Sequence, residues 1–386
     1  MITKKTVYIL GAGFSLPAGA PDQAAILSQI FALKNRNCRV KNYKADLKRF
    51  LSETLGIAQT NHERVFLEDI YTPIDRCIAD GVSLRNTSPV KLQEVRDKLE
   101  HLISLAVDQS FTRSHKSKKQ YVTDFATYIV DVAAKRAELA RNTTSAEAAK
   151  QYDPLSIISL NWDILLDTRL YEALRVKDGN ISGDYDPIGV VDYCCYISSI
   201  EKRQSRIRSG LWTLGARGYN VKLLKLHGSL NWLQCSNCQR LFVGFEQKLT
   251  ISDYIETEKC RHCRRRGIEP AFKGSLVMPT FLKDLSNFQI KLIWQNASVE
   301  LLEADKLVFI GYSLPHADFE FRQLMARMVH RKAGIEVVLW KGKSKASKRR
   351  YYEDCVRYEQ FFPGRGIKFW PNGMENKIQN RNKAIS

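Results

Sequence analysis

The residues best suited to chemistry in this chain are four cysteines arranged as two Cys-x-x-Cys pairs. Cys235 and Cys238 form the first pair, and Cys260 and Cys263 form the second pair after 21 intervening residues. Two such pairs at this separation are typical of a tetrahedral zinc site. Four thiolates leave no open coordination position, so we predict a structural zinc ribbon over residues 234–272. A disulfide pair or a redox dithiol is the less favoured alternative.

A glycine-rich turn follows the first apolar run of the chain. Residues 11–15 have the sequence GAGFS and come directly after Thr6–Leu10. Glycines in such a turn let backbone N–H groups approach a pyrophosphate, and the N-terminus of a following helix adds partial positive charge. The third glycine of a G-x-G-x-x-G pattern is missing. A turn that binds no ligand is therefore the alternative.

Polar side chains also end two later apolar runs. Asn161, Trp162 and Asp163 follow one run, and His227 follows another. Ligands of open α/β sheets bind outside the carboxyl ends of the strands, so these residues are candidates for a binding site. A histidine there can act as a general base near neutral pH. The alternatives are helix capping by Asn161 or Asp163 and a structural role for His227.

A second glycine turn, with the sequence GYSL over residues 311–314, follows a further apolar run. It places a hydroxyl beside a glycine, and an ordinary strand-to-helix turn is the alternative. Six apolar runs of this kind predict buried parallel strands. They lie at residues 6–10, 155–160, 221–226, 306–310, 335–340 and 367–370. We therefore expect an α/β fold with a Rossmann-like, doubly wound parallel sheet of about six strands.

The long segment between the first two predicted strands has helical periodicity. Apolar residues recur at helical spacing over residues 24–33, 44–55, 63–80, 89–109 and 122–140. A connection of this length indicates a separate helical subdomain rather than a loop. The predicted domain ranges are 1–22 for the start of the sheet domain, 23–150 for the helical insert, 151–233 for the continued sheet domain, 234–272 for the ribbon, and 273–386 for the rest of the sheet with a basic C-terminal region.

Composition narrows the class of protein further. Apolar residues are 44% and charged residues 26% of the chain, which is ordinary for a globular protein and excludes a disordered or collagen-like one. No apolar run approaches the roughly 18 residues of a spanning helix, and no signal-peptide pattern is present, so we expect a cytoplasmic protein.

The chain is strongly basic, with 60 Lys and Arg against 41 Asp and Glu and a net charge of +19. Residues 341–386 contain 12 of the basic residues and 4 of the acidic ones. The densest basic cluster consists of Lys341, Lys343, Lys345, Lys348, Arg349 and Arg350. Such a cluster attracts phosphate backbones. A solvated basic face is the alternative.

Taken in order, the motifs GAGFS, SLNWD, LHGS, the paired cysteines and GYSL resemble those of the sirtuin family. The resemblance covers residues 5–22 and 155–340 and leaves out the helical insert. It implies that Asn161 and His227 are the catalytic pair and that NAD is the substrate. The residues implied to bind NAD are Ala12, Gly13, Phe14, Ser15, Asp22, Trp162, Asp163, Gly311 and Ser313. It also implies that Cys235, Cys238, Cys260 and Cys263 hold structural zinc.

Two departures from the protein deacetylases of that family concern the acetyl-lysine groove. Gln23 and Ala24 stand where those enzymes have Phe-Arg, and residues 277–283 replace a Phe-Gly-Glu segment. The large insert and the segments around Thr280 and Gly311 resemble instead the sirtuin-like NAD-cleaving proteins of bacterial anti-phage defence. Some of those proteins work with a HerA-type ring ATPase.

The expected function is therefore an NAD glycohydrolase (NADase) that releases nicotinamide and ADP-ribose and depletes NAD during anti-phage defence. Because such an enzyme must be held inactive until it is triggered, we expect a homo-oligomer assembled through the helical insert. One alternative is an NAD-dependent protein deacylase. The other is a subunit of a defence complex that senses NAD or ADP-ribose or binds nucleic acid.

Overall fold

The structure is a computed structural model that describes most of the chain. The described residues are 5–34, 38–113, 116–141, 155–177, 189–200, 218–244, 259–278, 280, 283 and 285–374. The domain boundary predicted between residues 150 and 151 lies outside these ranges, as does the end of the basic C-terminal region.

The described residues contain eleven strands. These are β1 (Thr6–Leu10), β2 (Leu155–Ser159), β3 (Gly189–Asp192), β4 (Ile197–Ser199), β5 (Tyr219–Lys225), β6 (Gly228–Cys235), β7 (Leu241–Val243), β8 (Phe272–Leu276), β9 (Lys306–Ile310), β10 (Gly334–Val338) and β11 (Ile367–Trp370). Seven of them form one parallel sheet in the order β11-β10-β9-β1-β2-β5-β3. The predicted parallel α/β fold and its six predicted strands are confirmed.

The seventh strand, β3, was not predicted from the sequence. It has only four residues and pairs with β5 at the edge of the sheet. Its four residues follow two sequence signals for turns, Gly179-Asn180 and Gly183-Asp184, and a run this short does not establish a period. Pairing with β5 therefore decides its conformation.

Ten α-helices are present in the described part of the chain. They are α1 (Ile26–Phe31), α2 (Cys38–Arg49), α3 (Leu67–Asp80), α4 (Pro89–Arg113), α5 (Gln120–Arg141), α6 (Leu165–Lys177), α7 (Arg261–Arg264), α8 (Phe288–Glu303), α9 (Phe319–Met328) and α10 (Lys345–Phe361). None of these helices combines the length and the apolar character that crossing a membrane requires.

The segment between β1 and β2 contributes to two hydrophobic cores. Buried side chains of α1, α3 and α4, such as Ile30, Ile70 and Leu99, share a core that is separate from the sheet. By contrast, Phe125 and Ile129 of α5 pack in the core of the sheet itself. The last helix of this segment therefore covers the large sheet as a crossover helix, while the earlier ones pack in a second core that also includes Leu276 and Met278, at and just after the end of β8.

One predicted feature after β1 is wrong. The sequence suggested that a helix begins directly after the glycine turn, but the chain forms only a three-residue 3-10 helix at Ala12–Phe14 and then a series of turns. The first α-helix, α1, begins at Ile26. Pro17 and Pro21 in this stretch lack backbone N–H groups, and this prevents a continuous helix.

The order of the strands creates a switch point beside β1. β1 pairs in full register with β2 on one side and with β9 on the other, so the connections from β1 to β2 and into β9 lead to opposite halves of the sheet. Open α/β sheets bind ligands at such a point, outside the carboxyl ends of the strands. The loops that follow β1, β2, β5 and β9 therefore share one edge.

A smaller sheet carries the cysteine motifs. Its order is β4-β7-β6-β8, with β6 antiparallel to both β7 and β8. Gly228 begins β6 with a φ of +71°, and a Cβ there would lie 2.0 Å from the carbonyl oxygen of Ser275. The absence of a side chain thus allows β6 to leave the large sheet and meet β8 immediately.

The glycine turns after β1 and β9 touch each other. A Cβ on Gly311 would lie 2.1 Å from the backbone nitrogen of Phe14, and the φ of Gly311 is +61°. Cβ atoms on Gly11 and Gly13 would in turn lie 2.6 and 2.8 Å from the backbone of Tyr312 and Gly311. Only glycine fits at these three positions.

We expect Gly311→Ala to lower the free energy of unfolding by at least about 2 kcal/mol, because the new methyl group meets backbone in a left-handed conformation. Gly366→Ala is the matched control, since a Cβ at Gly366 meets nothing within 4 Å. Urea denaturation of the two variants measures the difference. Equal stability of the two variants would contradict the close approach of the two turns.

Candidate active site

The predicted motifs lie together at the carboxyl edge of the large sheet. Parallel pairing continues beyond the strands, because the backbone nitrogen of Leu160 donates to the carbonyl of Leu10 at 3.0 Å and that of Leu226 donates to Ser159 at 3.1 Å. Asn161 and His227 are the next residues after Leu160 and Leu226. The loops after β1, β2 and β5 therefore emerge side by side.

Asn161 bridges the loop after β2 to the loop after β1. Its Nδ2 donates to the carbonyl of Gly11 at 2.9 Å and lies 3.3 Å from Oγ of Ser15. Because a carbonyl oxygen can only accept, the Gly11 contact fixes which end of the amide carries the N–H groups. The Oδ1 atom has no partner among the described residues. It is an acceptor that can hold a water or a substrate hydroxyl.

Asp163 belongs to the same cluster and also caps a helix. Oγ of Ser15 donates to Oδ2 of Asp163 at 2.8 Å, while Oδ1 accepts from the backbone nitrogen of Leu165 at the start of α6. Burial raises the pKa of the Asp163 carboxyl, and the Lys225 ammonium opposes this rise. The capping interpretation of Asp163 and its place beside Asn161 are thus compatible.

His227 is buried, and its tautomer follows from its contacts. Nδ1 lies 3.1 Å from the carbonyl oxygen of Leu160, which can only accept, so Nδ1 carries the proton and Nε2 carries the lone pair. Nε2 is buried and makes no hydrogen bond with the described residues. Burial lowers the pKa of His227, which favours the neutral form. An unpaired lone pair on a neutral imidazole is suited to accept a proton.

Charged residues that the motif analysis missed surround this imidazole. Oδ1 of Asp318 lies 3.7 Å from Nε2 of His227 and 3.4 Å from Nζ of Lys283. Nζ of Lys283 also contacts Glu320 at 3.1 Å. Asp318 and Glu320 follow the second glycine turn by a few residues, so they could have been noticed as acidic residues near a strand end. Nothing in the local sequence links Lys283 to them.

Most amide nitrogens of the loop after β1 donate to backbone carbonyls of the same loop or of the turn after β9. The amide nitrogens of Gly13, Phe14 and Ser15 donate to Gly311, Gly11 and Ala12, respectively, at 2.8–3.0 Å. The amide of Ala12 is the one in this turn without an acceptor among the described residues, and Ala12 is exposed. A phosphate would therefore meet the Ala12 amide first.

The remaining predicted contacts are more dispersed. Phe14 packs edge-on against Tyr121 and Phe125 in the hydrophobic core, so its side chain is structural. Nε1 of Trp162 donates to the carbonyl of Val277 at 3.1 Å. Asp22 accepts a hydrogen bond from the amide of Ala25.

Ser313 belongs to the glycine turn after β9, where its carbonyl accepts from Nε of Arg357 at 3.1 Å. Gly311 of the same turn touches the loop after β1, as described above. The structure thus brings together Asn161, Ser15 and Asp163, with His227 on the adjoining strand end. Asp22 and Ser313 make their contacts outside this cluster.

The four predicted metal-ligating cysteines converge at the end of the small sheet. Sγ of Cys235 lies 3.8 Å from that of Cys263, and Sγ of Cys238 lies 3.7 Å from that of Cys260. All four sulfur atoms lie within 4.8 Å of one another. A tetrahedral zinc ion with Zn–S bonds of about 2.3 Å requires sulfur atoms about 3.8 Å apart. The donor set and its spacing therefore fit structural zinc.

We expect the purified protein to contain about one equivalent of zinc and the Cys238→Ser variant to lose most of it, because removing one thiolate opens the tetrahedral site. Elemental analysis gives the zinc content, and thermal unfolding should show a lower Tm. Cys38→Ser is the control, since Cys38 is exposed and lies outside the cluster. Full zinc content in Cys238→Ser would contradict the assignment.

The comparison with known proteins finds similarity to solved structures. No protein-family model matches this chain, and no curated protein does. A Sir2 homologue in complex with NAD is 13% identical, with 100% of this chain and 92% of the other covered and a TM-score of 0.45. A Sir2 homologue mutant with 2'-O-acetyl ADP-ribose is 14% identical, with 100% and 96% covered and a TM-score of 0.40.

Sir2Tm bound to a propionylated peptide is 11% identical to this chain, with 99% of this chain and 94% of the other covered and a TM-score of 0.37. These identities and TM-scores are too low to support a conclusion about this chain. The fold rests on the strand order of this chain, and the candidate site is a hypothesis drawn from its side-chain contacts.

Proposed function

We propose that this chain hydrolyses NAD at the nicotinamide–ribose bond and releases nicotinamide and ADP-ribose. The observation that carries the proposal is that two hydrogen-bond acceptors without a partner follow the ends of two neighbouring strands. Nε2 of His227 is buried without a hydrogen-bond partner among the described residues, and the hydrogen bonds of the Asn161 side chain there all involve Nδ2, which leaves Oδ1 free. The two residues follow the adjacent strands β2 and β5, on the β2 side of the switch point. A dinucleotide fits a crevice of this kind.

Asn161 is proposed to position the attacking water or the ribose hydroxyls. Its Nδ2 is held by the carbonyl of Gly11, so Oδ1 is aimed without the entropic cost of fixing a free side chain. Removing the side chain would remove that acceptor and also the hydrogen bond that joins the loops after β1 and β2. We expect the effect on kcat to exceed the effect on substrate binding.

His227 is proposed to accept the proton from the hydroxyl that Asn161 positions. The Leu160 carbonyl holds Nδ1–H, which leaves the Nε2 lone pair as the base. General-base assistance of this kind accelerates reactions by roughly 100- to 10,000-fold. Because burial lowers the pKa of His227, the base is neutral at physiological pH.

Cleavage of the nicotinamide–ribose bond develops positive charge on the ribose, and the site offers negative groups for it. The bond's electron pair leaves with nicotinamide, and water supplies the new C–O bond. The half-buried Asp163 carboxylate, held by Ser15, and the strand-end carbonyls provide preorganised negative groups for this charge. The exposed Ala12 amide is the group proposed to meet the pyrophosphate.

An NAD-dependent protein deacylase shares the cleavage step and is the second candidate. It would pass the ribose to an acylated lysine instead of to water. The sequence favours hydrolysis, since residues 277–283 depart from the Phe-Gly-Glu segment of protein deacetylases. A requirement for acylated peptide in nicotinamide release would favour the deacylase.

The motif resemblance also supports a proposed setting. We place the chain in anti-phage defence as a homo-oligomer that associates through α1–α4, with a HerA-type ring ATPase as a candidate partner. Light scattering tests the assembly, and a monomer at all concentrations would contradict it. Co-purification with the products of neighbouring genes tests the partner.

We expect Asn161→Ala and His227→Ala to reduce NAD hydrolysis by at least about 100-fold, because each removes one of the two acceptors. Nicotinamide release, measured by chromatography with and without acetylated peptide and candidate partners, is the assay. His330→Ala is the matched control, since His330 lies between α9 and the first residue of β10, at the edge of the sheet opposite the carboxyl ends of the strands. Full activity in either site variant would contradict the assignment, as would the absence of nicotinamide under every condition.

The basic cluster supports a further, nucleic-acid-binding role. Lys345, Lys348, Arg349 and Arg350 are exposed on the first two turns of α10, where the helix dipole disfavours cations. Trp340 is 68% exposed close by in sequence and offers a stacking surface. Cations at this end of the helix do not stabilise it, whereas together with an exposed aromatic ring they are suited to bind a phosphate backbone.

We expect salt-dependent binding of single-stranded DNA, measured by fluorescence anisotropy. The slope of the logarithm of the binding constant against the logarithm of the salt concentration is negative, and each contacted phosphate contributes about 0.7 to its magnitude. Neutralising Lys343, Lys345, Lys348, Arg349 and Arg350 should therefore reduce that magnitude by up to about 3.5. Neutralising the exposed Lys41, Lys48 and Arg49 on α2 is the control. Unchanged DNA binding in the five-residue variant would reject this interface.

A further inference from the structure

A buried ammonium lies near the candidate base and has no role in the chemistry described so far. The side chain of Lys283 has no exposed surface. Its Nζ donates to the carbonyl of Ala317 at 2.8 Å and to Oε2 of Glu320 at 3.1 Å. The same atom lies 3.4 Å from Oδ1 of Asp318. Burying an ammonium is costly unless it is paired, and here it is paired with two carboxylates.

Asp318 lies between this ammonium and the imidazole of His227. Its Oδ1 is 3.4 Å from Nζ of Lys283 and 3.7 Å from Nε2 of His227. Its Oδ2 accepts a hydrogen bond from the hydroxyl of Tyr312 at 3.1 Å. Burial raises the pKa of Tyr312, so this hydroxyl stays protonated and keeps donating. The carboxylate is thereby held close to Nε2 but beyond hydrogen-bond distance.

We propose that Lys283 and Asp318 are positioning residues that act on His227 through the contacts from Nζ to Oδ1 and from Oδ1 to Nε2. Asp318 stabilises the imidazolium that forms when Nε2 takes a proton. Lys283 restrains the carboxylate and offsets its charge, so that the imidazole remains neutral before the reaction. The reaction that this device serves is the proposed hydrolysis, and in that sense the inference rests on the proposed function.

The charge balance of the cluster supports this division of roles. The charged groups that face His227 are Asp318, Glu320 and Lys283. Together they carry one net negative charge, so protonation of His227 brings the cluster to neutrality. Without Lys283 the imidazole would face two negative charges and would bind a proton in the resting state. Without Asp318 the imidazolium would form beside an ammonium with less compensation.

The signs of the two effects are opposite, and this makes the proposal testable. Lys283→Met removes a cation that disfavours the imidazolium, so the His227 titration midpoint should rise by about one pH unit. Asp318→Asn removes an anion that favours the imidazolium, so the midpoint should fall by a similar amount. The double variant should lie between the two single variants.

Nuclear magnetic resonance titration of histidine-labelled full-length protein measures the midpoint directly. The His227 signal is assigned by its loss in His227→Asn. Lys283→Arg should restore a midpoint close to that of the unmodified protein, because it keeps the charge. Lys291→Met is the matched control, since Lys291 is exposed on α8 and its loss should leave the midpoint unchanged. Lys283→Gln replaces Lys283→Met if the latter does not fold by circular dichroism.

An unchanged midpoint in both single variants, or shifts in the same direction, would overturn the proposal. The pH dependence of kcat/KM for NAD provides an independent reading. Because the base must be neutral, the acidic limb should move to higher pH in Lys283→Met and to lower pH in Asp318→Asn. Midpoints that move as expected without any NAD cleavage would support this inference and refute the proposed function.

Discussion

The structure depends on the contact between two turns that lack side chains. The turn after β1 and the turn after β9 meet so closely that a Cβ on Gly11, Gly13 or Gly311 would collide with backbone. This contact leaves the carbonyl of Gly11 where Asn161 can donate to it. The glycines are therefore required by the protein's own packing at the switch point, and approach of a pyrophosphate is not needed to explain them.

Burial determines the chemistry of the strand-end cluster. The carbonyl of Leu160 leaves His227 one possible tautomer, and the low dielectric around the ring favours its neutral form. The same burial favours the neutral carboxyl of Asp163, which Ser15 and Lys225 oppose by stabilising the charged form. A site of this kind holds its polar groups in position before any substrate arrives, which is the main requirement for electrostatic catalysis.

The cysteine cluster supports the candidate site from a distance. His227 is followed at once by β6, which ends at Cys235, and the carbonyl of His227 accepts from the amide of Val277 just after β8. The ribbon therefore anchors both strands that hold the backbone of His227. A metal ion bound by four thiolates would stabilise that arrangement without contacting substrate, since it has no open coordination position.

Local spacing in the sequence was enough to predict much of this protein. Continuous apolar runs identified six strands, because a strand buried on both faces needs apolar side chains throughout. The two Cys-x-x-Cys pairs identified the metal ligands, because each pair is formed by a single turn of backbone. Parallel strands all point the same way, and this put Asn161 and His227 at one edge of the sheet.

The tertiary structure decided the rest, because the contacts concerned join distant parts of the chain. Asn161 and Gly11 are 150 residues apart, and no local pattern relates them. The tautomer of His227 depends on a neighbouring strand, and the pairing of Lys283 with Asp318 joins residues that are 35 positions apart in the sequence. Turns replace the expected helix after β1 for a local reason, the two prolines. By contrast, Gly11 and Gly13 are necessary because of a contact with the turn after β9, which is distant in the sequence.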